Sequence, residues 1–315
     1  MPLLLSGCIE DFTPDVDFTP CLCLNSLITA GEPVEVEVTH TWLYSDVYGA
    51  SHHDVNDATV TIYANGVAVG PDYLPAEGDR IRIHAESPTY GEAEAEVTVP
   101  VSVPAQLGKP VIDKVASWGG AEASDVGVQM NMRVEMDVPD PADTIQYYLL
   151  TYSDLVPNGI APVLFSSGTF VYQAEPIFSE HIGVVDVISG NDSDGFTFFT
   201  DRQFSGKTYT LNLCFDDMQY SVKLADYTDE LLDCGLIFTL GSISESYYNW
   251  LCYRWNIDNG TLSDIADVGL GDPVWGYSNV STGAGVVAAC AKRSYTVSLG
   301  AFLKSALPAS ICSGR

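Results

Sequence analysis

From Val128 to Val138 every second residue is apolar. Val128, Met130, Met132, Val134, Met136 and Val138 alternate with glutamine, asparagine, arginine, glutamate and aspartate. Side chains repeat every two residues along a strand and every 3.6 along a helix, so this stretch buries one face only as a β-strand. Pro139-Asp140-Pro141 ends it, because proline brings no N–H to a ladder. The same period runs through Val34-Glu35-Val36-Glu37-Val38, Arg80-Ile81-Arg82-Ile83 and the stretch from Glu92 to Val99. Thr59 to Ala64 leads into Asn65-Gly66 and out through Val67-Ala68-Val69, a hairpin with a turn pair that favours type I′. A chain patterned this way is mainly β.

These strands divide the 315 residues. Residues 18–104 hold five or more short strands and no helical pattern, which predicts an Ig-like or transthyretin-like β-sandwich closed by Pro100 and Pro104. Ala105-Gln106-Leu107-Gly108-Lys109-Pro110 reads as a linker. A larger β-rich domain follows over 105–299, with further strands at Gln146 to Tyr152 and Thr208 to Phe215 and long loops through roughly 153–200. One main helix is predicted near 243–258. Ser242-Ile243-Ser244-Glu245 fits a capping box, and Tyr247, Tyr248, Leu251, Cys252 and Trp255 then recur at helical spacing as a packing face. Asn259-Gly260 ends it. Residues 300–315 read as a C-terminal tail.

Net charge is −29, from 42 acidic and 13 basic residues, and the first basic residue is Arg80. Nucleic acid is excluded as a partner, since neutralising phosphates takes clustered Lys and Arg. No apolar run approaches the ~18 residues of a spanning helix.

The N-terminus locates the chain. Leu5-Ser6-Gly7-Cys8 has the branched apolar residue, the two small residues and the cysteine of a bacterial lipobox. Cleavage before Cys8 leaves its thiol and new amine to carry lipid, each acyl methylene adding roughly 0.8 kcal/mol of membrane affinity. The bland alternative is an N-terminal remnant with an ordinary thiol. Three leucines without a charged n-region are less than a full leader, so residues 1–17 are expected to hold a truncated signal peptide, the lipobox and an acidic tether. Glu10 and Asp11, followed by Asp15 and Asp17, supply that acidity. With Cys8 lipidated, Cys21, Cys23, Cys214, Cys234, Cys252, Cys290 and Cys312 remain, an odd set in which spacing assigns no disulfide.

Catalytic signatures are sparse. No H-E-x-x-H, G-x-S-x-G or phosphate-binding glycine loop occurs. His52-His53-Asp54 is the one histidine cluster, and it reads as loop polarity sooner than as a metal site. Asn191-Asp192-Ser193-Asp194-Gly195 has the alternating oxygens of half a calcium loop but no distal glutamate, so an Asx turn is favoured. No cofactor is expected. Trp42, Tyr44, Tyr48 and Trp118 sit in or beside predicted loops, where such rings pack at corners, stack on sugars or bury at a protein interface.

Four ordered segments resemble the DUF4249 family of Bacteroidota outer-membrane surface lipoproteins. They are Asn56 to Tyr63, Phe199 to Tyr209, the helix start Ile243-Ser244-Glu245-Ser246-Tyr247-Tyr248, and Pro273 to Val286 with its Tyr277-Ser278-Asn279-Val280. The Glu10-Asp11 patch likewise resembles the export signal of such lipoproteins. The resemblance covers nearly all of the mature chain and implies a lipid-anchored protein facing outward from the outer membrane. It further implies an accessory role beside a SusC-like, TonB-dependent β-barrel. Its glycines read structurally: Gly206 as a turn, Gly283 and Gly285 as points of bending or close backbone approach before a buried Val286-Val287-Ala288-Ala289. The expected function is therefore non-enzymatic: an accessory or ligand-binding subunit of an outer-membrane barrel complex. The alternatives are a free-standing glycan- or peptide-binding module and, behind it, a hydrolase with an unrecognised carboxylate pair.

Overall fold

A computed structural model describes residues 18–42, 54–119, 124–141, 144–157, 163–179, 197–223, 228–259 and 276–307. The described chain is mainly β, in three sheets. The first carries strands β3 (Thr59–Ala64), β4 (Val67–Val69), β5 (Arg80–Ser87) and β6 (Gly91–Thr98) in the order β4-β3-β5-β6. Asn65 and Gly66 both take positive φ, 51° and 83°, as the predicted type I′ hairpin requires.

A second sheet is built on the long antiparallel pair β9 (Asp125–Pro139) and β14 (Thr208–Lys223). On it lie β7 (Gln106–Leu107) and β8 (Val111–Trp118) on one side, β11 (Val163–Ser166) and β12 (Thr169–Phe170) on the other. In β9 the predicted alternation holds: Val128, Met130, Met132, Val134, Met136 and Val138 are all buried.

The third sheet joins the two halves of the chain. Its order is β13-β10-β15-β16-β1-β2. These strands are β1 (Leu22–Thr29), β2 (Glu37–His40), β10 (Tyr147–Leu155), β13 (Phe198–Thr200), β15 (Gly235–Ile243) and β16 (Ala284–Ser298). β1 and β16 run parallel, from Cys23↔Ala284 to Thr29↔Cys290. Residues of one parity along β16 then serve both cores. Val287 and Ala289 join Leu22, Leu24, Ile28, Ile81, Ile83 and Val97 in the smaller core, and Val297 joins Phe215, Tyr220, Leu236 and Phe238 in the larger. Between them, Arg293 Nε donates to Ser102 Oγ at 2.8 Å and the Tyr295 hydroxyl accepts from the Ala105 N–H at 2.8 Å.

Three expectations change. The sandwich over 18–104 is present, but β1 and β2 form its second layer together with the C-terminal β16, so its core does not close within those residues. Alternation identifies the buried face of a strand and is silent about its neighbour. The expected linker 105–110 is held in the structure: Gln106 and Leu107 pair with Asp137 and Met136, and the Gly108 N–H donates to Glu135 O at 2.8 Å. The expected tail begins with helix α2 (Gly300–Ala306), which buries Leu303, Ala306 and Leu307 against the larger core. The predicted main helix is α1 (Glu245–Asn259).

The parallel pair requires its glycines. A Cβ on Gly285, at φ +109°, would meet Leu24 O at 2.1 Å, and one on Gly283 would meet Leu22 O at 2.5 Å. Gly285→Ala is therefore expected to cost roughly 3 kcal/mol, combining strain with loss of β1 contacts. Gly70→Ala, where nothing lies within 4 Å, should stay within about 0.5 kcal/mol of wild type. Urea unfolding of both variants checks the contrast, and equal midpoints would show that the close approach is not needed.

Candidate functional site

β15 reaches β16 only as far as Ile243↔Cys290, whereas β1 pairs with β16 from Ala284 onward. Among the described residues, the first part of β16 thus has a strand on one side only, and side chains complete its other edge. Asn279 spans Val287: its Oδ1 accepts from the Val287 N–H at 2.9 Å and its Nδ2 donates to the Val287 carbonyl at 2.8 Å. Ser246 Oγ donates to that same carbonyl at 2.9 Å. Ser244 Oγ accepts from the Ala289 N–H at 3.0 Å, and the Ser244 N–H donates to Ala289 O at 2.8 Å.

Ser244 also opens α1, its Oγ accepting the Tyr247 N–H at 3.2 Å. The cap therefore falls at Ser244 and not at the Ser242 of the predicted capping box. Ser242 still belongs to β15 and the helix starts only where the ladder ends; its buried Oγ has no hydrogen-bond partner. One face of α1 packs on the sheet as predicted, Tyr247, Tyr248, Leu251, Cys252 and Trp255 lying over Phe198, Ile243 and Cys290.

Held by these bonds, α1 stands beside the outer face of β16, β1 and the segment leading into β2. Between them runs an open groove of about 720 Å³. Tyr247 and Trp250 form its aromatic wall, their ring centroids 6.0 Å apart. Leu27, Val36, Val286 and Ala288 give it an aliphatic floor, with Leu27 45% exposed, and Glu35 and Glu37 supply exposed carboxylates. Two polar side chains of the lining are already engaged. Asn25 Oδ1 accepts from the Val286 N–H at 3.2 Å, and Ser26 Oγ donates to Glu35 O at 2.7 Å.

A second cleft, of about 700 Å³, lies where Val99–Pro104 passes the turn Pro139-Asp140-Pro141. Behind it two carboxyl groups meet. Asp140 accepts from the Tyr148 hydroxyl at 3.3 Å and from the Gly206 N–H at 2.7 Å. Asp201, fully buried, accepts from the Gln146 N–H at 2.9 Å. Burial foremost, and then the adjoining Asp140 carboxyl, push Asp201 up to about 6 against the pull of the Gln146 amide. The Asp201 Oδ1 is buried with no hydrogen-bond partner among the described residues, so ionising this carboxyl costs more here than in water.

Residues 9–296 match the family described as "Domain of unknown function (DUF4249)". The chain belongs to the DUF4249 family. No curated protein and no solved structure matches it. The segments that carried the resemblance now have physical roles in this DUF4249 chain. Asp201 accepts from the Gln146 N–H and the Gly206 N–H donates to Asp140, and Ser244, Ser246 and Asn279 finish the edge of β16.

The residues of the lipobox, Leu5, Ser6, Gly7 and Cys8, and the acidic Glu10 and Asp11, lie outside the described residues, as do His52, His53, Tyr44, Tyr48 and the Asn191–Gly195 loop. Asp54 bridges Thr39. Trp42 is 46% exposed, and Trp118 donates from Nε1 to Asp125 at 3.2 Å on the other sheet, so neither joins the groove. Among the described residues, no three His, Cys, Asp or Glu side chains are grouped to hold a metal ion. Cys21, Cys23, Cys214, Cys234, Cys252 and Cys290 are not joined in disulfides among the described residues. Burial pushes Cys23 and Cys214 up, and Cys234 up to about 12. Trp250 is the site residue that sequence reasoning missed. It lies out of phase with the packing stripe of α1, and that displacement is the signal that sets it apart from the residues packed on Phe198, Ile243 and Cys290.

Two outcomes follow. Asn279→Ala leaves the Val287 N–H without its acceptor and should cost about 2 kcal/mol in chemical denaturation, and Asn279→Asp, which keeps the acceptor but sets a carboxylate oxygen against the Val287 carbonyl, should not recover that loss at neutral pH. Asp201 is raised in the folded state, so its contribution is fully present below its unfolded pKa and fades as pH rises through about 6. Between about pH 4 and pH 7 the wild type should lose on the order of 2 kcal/mol more stability than Asp201→Asn, whose side chain does not ionise. Parallel pH profiles of the two proteins would contradict the raised carboxyl.

Proposed function

We propose that this protein is a non-enzymatic, lipid-anchored binding subunit of the outer membrane, tethered through Cys8 and holding a protein partner in the groove beside α1. The observation that carries this reading is the open groove itself: Tyr247 and Trp250 stand over an aliphatic floor on a rigid sheet, the composition of an interface anchor. The partner proposed is an outer-membrane β-barrel of the SusC-like, TonB-dependent kind, with the protein on the extracellular side. Nine residues lie between Cys8 and the first described residue, Phe18, so the tether, fully extended over ten Cα steps, spans at most about 35 Å. β1 follows directly, which keeps the groove within reach of a barrel rim.

A non-enzymatic role is supported by the two sets of groups that chemistry would need. Asp201 is sealed from solvent and its carboxyl accepts from the Gln146 N–H. Burial shifts the Cys234 thiol away from thiolate, the form that attacks. No helix among the described residues is long and apolar enough to cross the membrane, in keeping with attachment by lipid; strands of a barrel are a separate matter.

Labelled palmitate and mild-detergent purification test both parts together. Wild type should carry label and retain the barrel; Cys8→Ala should lose the label; Trp250→Ala should keep the label and lose the barrel at least about tenfold. Equal labelling of Cys8→Ala, or a barrel retained by Trp250→Ala, would contradict the proposal.

A further inference from the structure

Resting on the reading of the groove as a binding surface, we infer that its occupant is an extended peptide segment bearing a lysine or arginine side chain. Among the described residues, the carboxylates lining the groove are Glu35 and Glu37, both exposed, and no lysine, arginine or histidine lines it. Beside them the faces of Tyr247 and Trp250 attract a cation through their ring quadrupoles. The floor of Leu27, Val286 and Ala288 suits the methylene stem on which such a charge is carried. Ring, carboxylate and aliphatic floor together are the environment of a basic side chain.

The protein satisfies one of its own arginines in this way. Arg82 lies 3.9 Å from the centre of the Tyr63 ring while its Nη1 sits 2.6 Å from Glu94. In the groove the same combination faces outward without an arginine of the groove lining to fill it.

A sugar is served less well. Its hydroxyls require a dense set of donors and acceptors, yet Asn25 and Ser26 are engaged by the protein's own backbone. Size argues for a segment over a free amine. At about 720 Å³ the groove falls within the ~300–1,000 Å³ range that encloses a drug-sized ligand. A lone lysine or arginine side chain would leave most of it empty, whereas the flanking residues of an extended peptide would fill it. The chain's net charge of −29 adds a long-range field of the right sign.

Fluorescence anisotropy on the full chain tests this, using short synthetic peptides of alternating serine and threonine with a central arginine, lysine or norleucine. A neutral hexose oligosaccharide series serves as competitor. The arginine and lysine peptides should bind at least about tenfold more tightly than the norleucine peptide, and affinity should fall with added salt. Trp250→Ala and the double variant E35Q/E37Q should each weaken binding about tenfold or more, and Trp250→Tyr should restore part of it. Asp113→Asn, an exposed charge on β8 of the other sheet, should leave binding unchanged, and thermal melts of every variant should match wild type. Equal binding of the norleucine peptide, or displacement by the oligosaccharides, with loss in Trp250→Ala would overturn the cationic occupant while leaving the groove as a binding surface. Binding that is indifferent to Trp250→Ala would overturn both readings, and absence of binding to the cationic peptides would overturn this one.

Discussion

The parallel pairing of β1 with β16 is the interaction on which the rest of the molecule depends. It joins the first described strand to the last, Thr29 lying opposite Cys290. A parallel pair needs a crossover, and here the whole intervening chain is that crossover. Closing so long a loop costs on the order of 5 kcal/mol in chain entropy. Burial offsets it: Leu22, Leu24, Ile28, Val287 and Ala289 are all at or near zero exposure, and each large side chain among them contributes roughly 1.5–3 kcal/mol. Because β16 continues past β1 to pair with β15, one strand is shared by two hydrophobic cores.

The same geometry explains the helix and the groove. β15 leaves β16 at Ile243, so the backbone at Val287 and Ala289 needs other partners. Asn279, Ser244 and Ser246 supply them, and one of these, Ser244, is also the N-cap of α1. A backbone requirement thus fixes where the helix starts and which residues look outward. Tyr247 and Trp250 become the wall of a groove whose floor is the outer face of the joining pair. The groove and the structural junction are two faces of one sheet.

Much of this was legible in the sequence wherever a local period decides the outcome. The alternation of Val128 to Val138 predicted β9 and its buried face, Asn65-Gly66 predicted the hairpin turn, and the spacing of Tyr248, Leu251 and Trp255 predicted the packed face of α1. What escaped depends on partners distant in sequence. Nothing in Leu22–Thr29 says that it lies against Ala284–Cys290, because parallel neighbours leave no local trace. The carboxyl pair escaped for the same reason, since Asp140 and Asp201 approach only after β10 and β13 have aligned. Val34–Val38 shows the limit of a clean period: strand pairing there begins only at Glu37, although Val34, Val36 and Val38 still pack on the smaller core. Gly300 to Leu307 looked like a tail because its apolar residues are too few to display a period, yet Leu303 and Leu307 are buried.

Native-state hydrogen exchange on the amides of β1 and the first half of β16 tests the central claim most directly, that one shared strand makes the two cores a single cooperative body. The account predicts that amides within Leu24–Thr29 and Val286–Ala289 exchange only through global unfolding, at the same free energy as those of Leu213 in β14 and Phe238 in β15. Exchange of β1 and of the β3–β6 sheet at a distinctly lower free energy than β14 and β15 would contradict it, showing two units that open independently.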